Sequence, residues 1–190
     1  MNVTPNDLTE QPSFREVLGH HATGVALVAA MSEDGLPVGM IVGTFTSVSL
    51  TPPLVGFLPG HASTSWPKIR AAGRFAVNVL SDQQAWICTE FSRRHNKDKF
   101  ADIPWTLSEG GSPLIEGCVA WVDCSLADVH EAGDHDIAVG RVLNLGTGNS
   151  MHRIGIEEDQ SPLLFHKGGY GRFERILKPA NSTNQNRAHA

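Results

Sequence analysis

The chain has 190 residues, of which 41% are hydrophobic and 18% charged, enough apolar content for one folded domain with a sizeable core. A formal net charge of −5 leaves no basic surplus for neutralising a phosphate backbone, which excludes a general nucleic-acid binder. No run of about eighteen apolar residues occurs, so no membrane-spanning helix is expected.

Residues 1–12 are polar and acidic, and 180–190 is an Asn/Ser/Thr/Gln-rich stretch without apolar period, so both ends read as disordered tails (1–12 and 179–190) around one domain, 13–178. Ser13 is placed to cap a short helix, Phe14 to His20. Thr23 to Ser32 reads as a strand, Glu33-Asp34-Gly35 as a hairpin turn and Pro37 to Thr44 as the return strand. Phe45 to Leu50 alternates as a half-buried strand, Pro52-Pro53 interrupts, and Leu54 to Leu58 is short and apolar. Ser63 or Thr64 caps the next helix, which carries Trp66-Pro67 in its first turn and stops at Gly73. Phe75 to Leu80 is a strand, and Asp82 is expected to cap a helix running to about Arg93. Val119 to His130 and Asp136 to Leu145 are long alternating segments joined at a Gly133-Asp134 corner, and Pro162 to His166 is read as the last strand. Strands follow strands here, so the expected class is mainly β, an antiparallel barrel with a few short flanking helices.

Several chemistries lack their residues. No G-x-G-x-x-G follows a strand, and neither a P-loop nor a G-x-S-x-G elbow is present. His130 and His135 are five apart around Gly133, which does not put both rings on one helical face for a metal. A structural or metal-dependent barrel using His130, His135 and Asp136 is the distant rival. Cys88, Cys118 and Cys124 form no C-x-x-C pair and read as buried free thiols; with no basic, apolar leader in 1–12, the expected compartment is the cytoplasm.

Five constellations stand out. Ser63-Thr64-Ser65 gathers hydroxyls and N–H groups at a helix start, suited to a phosphate or to plain capping. Gly39 and Gly43 interrupt a β-branched strand, either at a bulge or where something flat rests on the backbone. Lys97-Asp98-Lys99-Phe100, after Arg93 and Arg94, is the densest basic cluster. Gly133-Asp134-His135 sets a titratable ring at a corner. Tyr170, the only tyrosine, is available to stack or to pack.

In this order these stretches resemble the flavin reductase-like family, with its FMN-binding split-barrel fold, and within it the reductase components of two-component flavin monooxygenases. The resemblance covers roughly Phe14 to Arg172. It is carried by Ala22-Thr23-Gly24-Val25, Pro37-Val38-Gly39-Met40, Phe45-Thr46-Ser47-Val48-Ser49-Leu50, Pro52-Pro53-Leu54-Val55, Ser63-Thr64-Ser65-Trp66, Gly73-Arg74-Phe75-Ala76-Val77-Asn78-Val79-Leu80, Asp98-Lys99-Phe100, Gly133-Asp134-His135 and Pro162-Leu163-Leu164-Phe165. It implies an antiparallel Greek-key split barrel and reduction of FMN or FAD by NADH or NADPH. It further implies a homodimer that hands reduced flavin to a transient monooxygenase partner. For the site, it implies that Gly39, Met40, Ile41, Val42, Gly43, Thr44 and Phe45 line the isoalloxazine ring. Pro59, Gly60, Ser63, Thr64 and Ser65, helped by Lys99 and Phe100, hold the ribityl phosphate. His135 orients the nicotinamide, and Tyr170 closes the site. Family members often carry Thr-x-Asn-Ser-Phe where this chain has Ile41-Val42-Gly43-Thr44-Phe45, so backbone N–H groups stand in for two side-chain bonds to the flavin. Hydride transfer between two cofactors asks little of protein acids and bases, which agrees with the missing triad and metal motif. The alternative on the same barrel is a non-catalytic flavin carrier.

Overall fold

The computed structural model describes residues 13–93, 98–148 and 160–176. Both expected tails, and Arg94 and Lys97 of the basic cluster, lie outside the described residues.

A short helix α1 (Phe14–Leu18) opens the domain, with the Ser13 hydroxyl accepting from the Glu16 N–H at 3.2 Å. Strands β1 (Thr23–Gly24), β2 (Ala26–Met31), β3 (Pro37–Val42), β4 (Thr46–Leu50) and β5 (Pro53–Phe57) follow. Helix α2 (Trp66–Ala72) leads to β6 (Arg74–Val79), and a 3-10 turn at Asp82–Gln84 leads to α3 (Ala85–Ser92). Then come β7 (Trp105–Leu107), β8 (Pro113–Ile115), β9 (Ala120–Ala132), β10 (His135–Thr147), β11 (Leu163–His166) and β12 (Gly169–Arg172).

Seven strands form one antiparallel sheet in the order β3-β2-β6-β9-β10-β5-β4. Laid flat, its two edge strands would sit about 29 Å apart at the usual strand spacing. Yet β3 and β4 are joined by residues 43–45 alone, a link that spans at most about 15 Å. The sheet therefore curls back on itself into a barrel whose seam runs between β3 and β4. The barrel interior holds Val28, Val55, Phe57, Phe75, Val77 and Ala138, with Trp66 and Ile69 of α2 plugging it. Phe57 is the hub, edge-on to Trp66 at 5.6 Å and to Phe75 at 5.3 Å.

A second core lies on the other face of β2, where Val25, Leu27 and Ala29 meet Ile87 and Cys88 of α3, Phe100, Ile115 and Leu163. With both faces covered, β2 is a continuous apolar run rather than an alternating one. This also explains why the expected single strand from Thr23 to Ser32 breaks at Val25. There the N–H bonds to Leu163 and the carbonyl accepts from Leu80, so Thr23–Gly24 join β11 while the rest joins the barrel. Three further expectations are corrected. Ser81, not Asp82, precedes the 3-10 turn, with the Gln84 side chain accepting from its N–H at 3.0 Å. The chain makes a short hairpin, β7–β8, that gave no sequence signal. β11 is not the last strand, because Lys167 and Gly168 adopt φ of 48° and 80° and turn it into β12.

The β7–β8 hairpin is held by a buried amide. Asn78 Nδ2 donates to the carbonyls of Leu27 and Pro113, and its Oδ1 accepts from the Ile115 N–H at 2.8 Å. Removing it strands three backbone groups in a dry site. Asn78→Ala is expected to cost about 2–4 kcal/mol, on the scale of one unsatisfied buried polar group plus lost bonds. Chemical denaturation of both proteins measures it.

Candidate functional site

A cleft of about 880 Å³ opens between the start of β3 and the start of α2. It brings Gly39, Thr64, Ser65, Lys99 and Phe100 together, five of the residues singled out from the sequence. Apolar walls come from Pro37, Val38, Phe91 and Trp105, and cations from Lys68 and Lys99. Asp34 stands at the hairpin end, while the Asp98 carboxylate turns back to accept from the Phe100 N–H at 3.1 Å. An apolar slot lined also by hydroxyls and two lysines suits a flat ring carrying a phosphate.

The individual parts differ from expectation in instructive ways. Gly39 is not an open ledge: a Cβ there would lie 3.0 Å from the Phe100 ring and 2.9 Å from Leu27, so the glycine admits Phe100 into the second core. Gly43 likewise makes room for the Thr23 hydroxyl, 2.8 Å from where its Cβ would be. Val42 is buried in the barrel core, Met40 packs against that core and Ile41 against the other. Those side chains are therefore turned into protein. What β3 offers a ligand is its backbone edge, since among the described residues it pairs only with β2. Thr44 spends its hydroxyl on the Leu58 N–H at 2.9 Å, and Phe45 packs against the barrel core.

At the helix start Ser65 is the N-cap residue and makes no side-chain cap bond; the Ser63 Oγ, just upstream, accepts from the N–H groups of Ser65 and Trp66 at 3.3 and 3.2 Å. That use occupies those two N–H groups and the acceptor side of the Ser63 hydroxyl, while Thr64 and Ser65 line the cleft. Lys68, three residues after Ser65 on the same side of α2, was missed in the sequence reading although the i, i+3 spacing carries it. Lys99 donates to the Phe91 carbonyl at the end of α3 and sits 5.6 Å from the Phe91 ring, so its charge also seals the helix terminus.

His135 lies off this cleft, at the β9–β10 corner. Its Nδ1 is 2.7 Å from Asp134 Oδ1, and the imidazole draws the Asp134 carboxyl below its ordinary range. The loop at Pro59–His61 docks onto this corner. Asp136 N–H donates to Pro59, His61 N–H donates to Asp134, and Gly60 forms a bridge with His135. Asp136 entered the sequence reading only as a donor of the rival metal site, and the structure gives it a different part. Alternation along β10 turns Asp136 inward with Ala138 and leaves Ile137 outside, an inversion of the hydrophobic pattern. The carboxylate accepts from Trp66 Nε1 at 2.7 Å, meets His61 Nε2 at 3.1 Å and lies 3.8 Å from Arg70. It thus ties α2 to the His135 corner. The Trp66 bond first, then His61 and Arg70, hold its pKa below the ordinary carboxylate range against the opposing effect of burial.

A depressed carboxyl contributes stability that is present above its unfolded value of about 4 and is lost as pH falls through the folded value. Asp136→Asn is therefore expected to melt lower than wild type at neutral pH, with the two melting temperatures converging below about pH 4. Thermal melts across pH 3 to 7, read as approximate titration windows, check this.

Tyr170 also lies off the cleft lining. It packs at 5.4 Å on Phe165 and shares a hydrogen bond with Cys88 on α3; burial first, then that thiol, push it up to about 12. The three cysteines are buried and unpaired, and burial pushes Cys118 and Cys124 up to about 12, so they are inert as nucleophiles. His130 pairs with Asp128, His135 with Asp134 and Asp136 with Trp66 and His61, so the rival metal donors face different partners. No helix among the described residues is long and apolar enough to cross a membrane.

Comparison with known proteins agrees with this architecture. A flavin reductase of Pseudomonas putida is 53% identical over 163 residues, covering 86% of this chain and 90% of that protein. The structure of a nitrilotriacetate monooxygenase component B homologue from Mycobacterium thermoresistibile superposes with a TM-score of 0.82 at 39% identity, covering 96% of this chain and 98% of the other. The NADH:FAD oxidoreductase SgcE6 of Streptomyces globisporus, solved with NAD and FAD fragments, superposes with a TM-score of 0.77 at 32% identity, covering 94% and 99%. Residues 18–174 match the flavin reductase like domain, and with the curled antiparallel barrel and its cleft this places the chain in the flavin reductase-like family.

Proposed function

We propose that this chain is an NAD(P)H:flavin oxidoreductase that reduces FMN or FAD and supplies the reduced flavin to a partner monooxygenase. The observation that carries the reading is a cleft where the start of β3, an edge strand of the sheet, meets Thr64, Ser65 and two lysines. A reduced nicotinamide bound beside a flavin supplies a hydride from C4, which the flavin takes up at N5. The chain's share of the work is positional. β3 presents main-chain N–H and C=O groups to the polar edge of the ring, and donors there stabilise negative charge that develops on reduction. Thr64, Ser65, Lys68 and Lys99 bind the phosphate, and Phe100 and Trp105 exclude water beside it. His135, held in one tautomer by Asp134 on Nδ1, keeps an Nε2 lone pair that accepts from the nicotinamide carboxamide.

The proposed assembly is a homodimer. Val48 and Leu50 of β4, with Leu143 and Leu145 of β10, leave large apolar side chains exposed at the same end of the sheet order, which supports a subunit contact there. The reductase reading is tested by mixing the protein anaerobically with NADH and a several-fold molar excess of FMN or FAD. An enzyme bleaches the whole flavin pool; bleaching that stops at one equivalent per chain identifies a flavin carrier instead.

A further inference from the structure

Gly60 offers something at the His135 corner other than the phosphate contact its position in a loop suggests. A Cβ built on Gly60 would have three atoms of the His135 ring as its nearest contacts, Nε2 at 3.3 Å, Cδ2 at 3.6 Å and Cε1 at 3.7 Å. The imidazole therefore lies across the bare face of Gly60. The contact is not incidental to loop flexibility, because the loop is clamped on both sides of the glycine. Pro59 accepts from the Asp136 N–H at 3.0 Å and Asp134 accepts from the His61 N–H at 2.9 Å. Beyond the clamp, the buried Asp136 carboxylate bonds both His61 and Trp66, which links the loop, the corner and α2. On the other side of the ring, Asp134 holds Nδ1 at 2.7 Å. Two restraints thus define the ring: a carboxylate that sets its rotation and a shelf without side chain that sets its height. His135 remains about half exposed, so it has room to leave this pose when pushed.

We propose that Gly60 is a positioning residue for His135, the shelf that holds the imidazole where it receives the nicotinamide. This rests on the reading of His135 as the nicotinamide-facing group. It assigns Gly60 to the hydride-donor side of the reaction and not to the flavin phosphate. Gly60 needs no left-handed backbone, so a larger side chain enters without main-chain strain, and the first group its Cβ meets is the His135 ring.

The test compares wild type, Gly60→Val, His135→Ala and the double variant for NADH-dependent flavin reduction and for flavin binding. It also follows the His135 ring signals by NMR in the ligand-free proteins. A displacement of about 1 Å in a positioned group costs on the order of tenfold to a hundredfold in rate, so Gly60→Val is expected to lower kcat/KM for NADH by that range. Its flavin Kd should stay within about twofold, and in the His135→Ala background the valine should cost nothing more. A valine that costs as much without the imidazole as with it, or that weakens flavin binding instead, overturns the proposal. If His135→Ala keeps the full wild-type rate, the nicotinamide role of His135 fails. The shelf is then judged on the ring signals, which must move in Gly60→Val if the contact holds the ring and which refute it if they do not.

Discussion

Replacing Lys68 and Lys99 together by glutamate should weaken FMN binding by on the order of a hundredfold, the loss of two charge-assisted contacts of about 1.5 kcal/mol each. Lys68 and Lys99 line the same cleft as Thr64 and Ser65. The effect should fade as ionic strength rises, because part of it is unscreened attraction. Riboflavin, which has the same ring and no phosphate, is the control and should bind within about threefold of its wild-type affinity. Lys99 also seals the end of α3 through Phe91, so the double variant loses some stability as well. The single Lys68→Glu variant separates the two contributions, since the bond to the Phe91 carbonyl comes from Lys99. Parallel losses for FMN and riboflavin would mean that the lysines do not read a phosphate.

The second large effect is expected from His135→Ala. Hydride transfer requires donor and acceptor atoms held about 3–3.5 Å apart, and losing the group that orients one partner typically removes one to two decades of rate. kcat/KM for NADH should therefore fall on the order of tenfold to a hundredfold, while the flavin Kd moves by no more than about twofold. Asp134→Asn should give a smaller loss of the same kind, because an amide at that position no longer imposes one tautomer on the ring. Equal losses in turnover and in flavin affinity would remove the role assigned to His135. Steady-state rates with NADH and NADPH, alongside flavin titrations, report both quantities.

Local chemistry made much of the fold legible. Ser13 caps α1, Gly35 turns the β2–β3 hairpin with φ of 74°, and Gly73 ends α2 with φ of 66°, each where its residue type demands. What escaped were features whose cause lies far along the chain. Thr23 to Ser32 reads as one strand because nothing local says that Leu80 and Leu163 will claim the backbone at Val25. The β7–β8 hairpin is three residues a side and is tied to the barrel by Asn78 in another strand. The same holds in the cleft. Gly39 was visible as an anomaly, but its partner, Phe100, is brought to it only by the second core. The hydroxyl cluster was visible too, yet which hydroxyl caps and which faces a ligand is decided by the path of the chain into α2. Asp136 carried a readable signal, an acidic residue in register with Ala138 on the inward face of β10, and its reason became plain only with Trp66 beside it.

The open edge of β3 and the hydroxyl-rich start of α2 form the walls of one cleft, and the account stands on a single phosphorylated ring lying between them. A crystal structure of the protein with FMN bound addresses this directly. The phosphate should sit within hydrogen-bonding reach of Thr64 or Ser65 and of Lys68 or Lys99, with the ring running along the β3 backbone. FMN bound elsewhere on the barrel, with this cleft open beside it, would contradict the assignment.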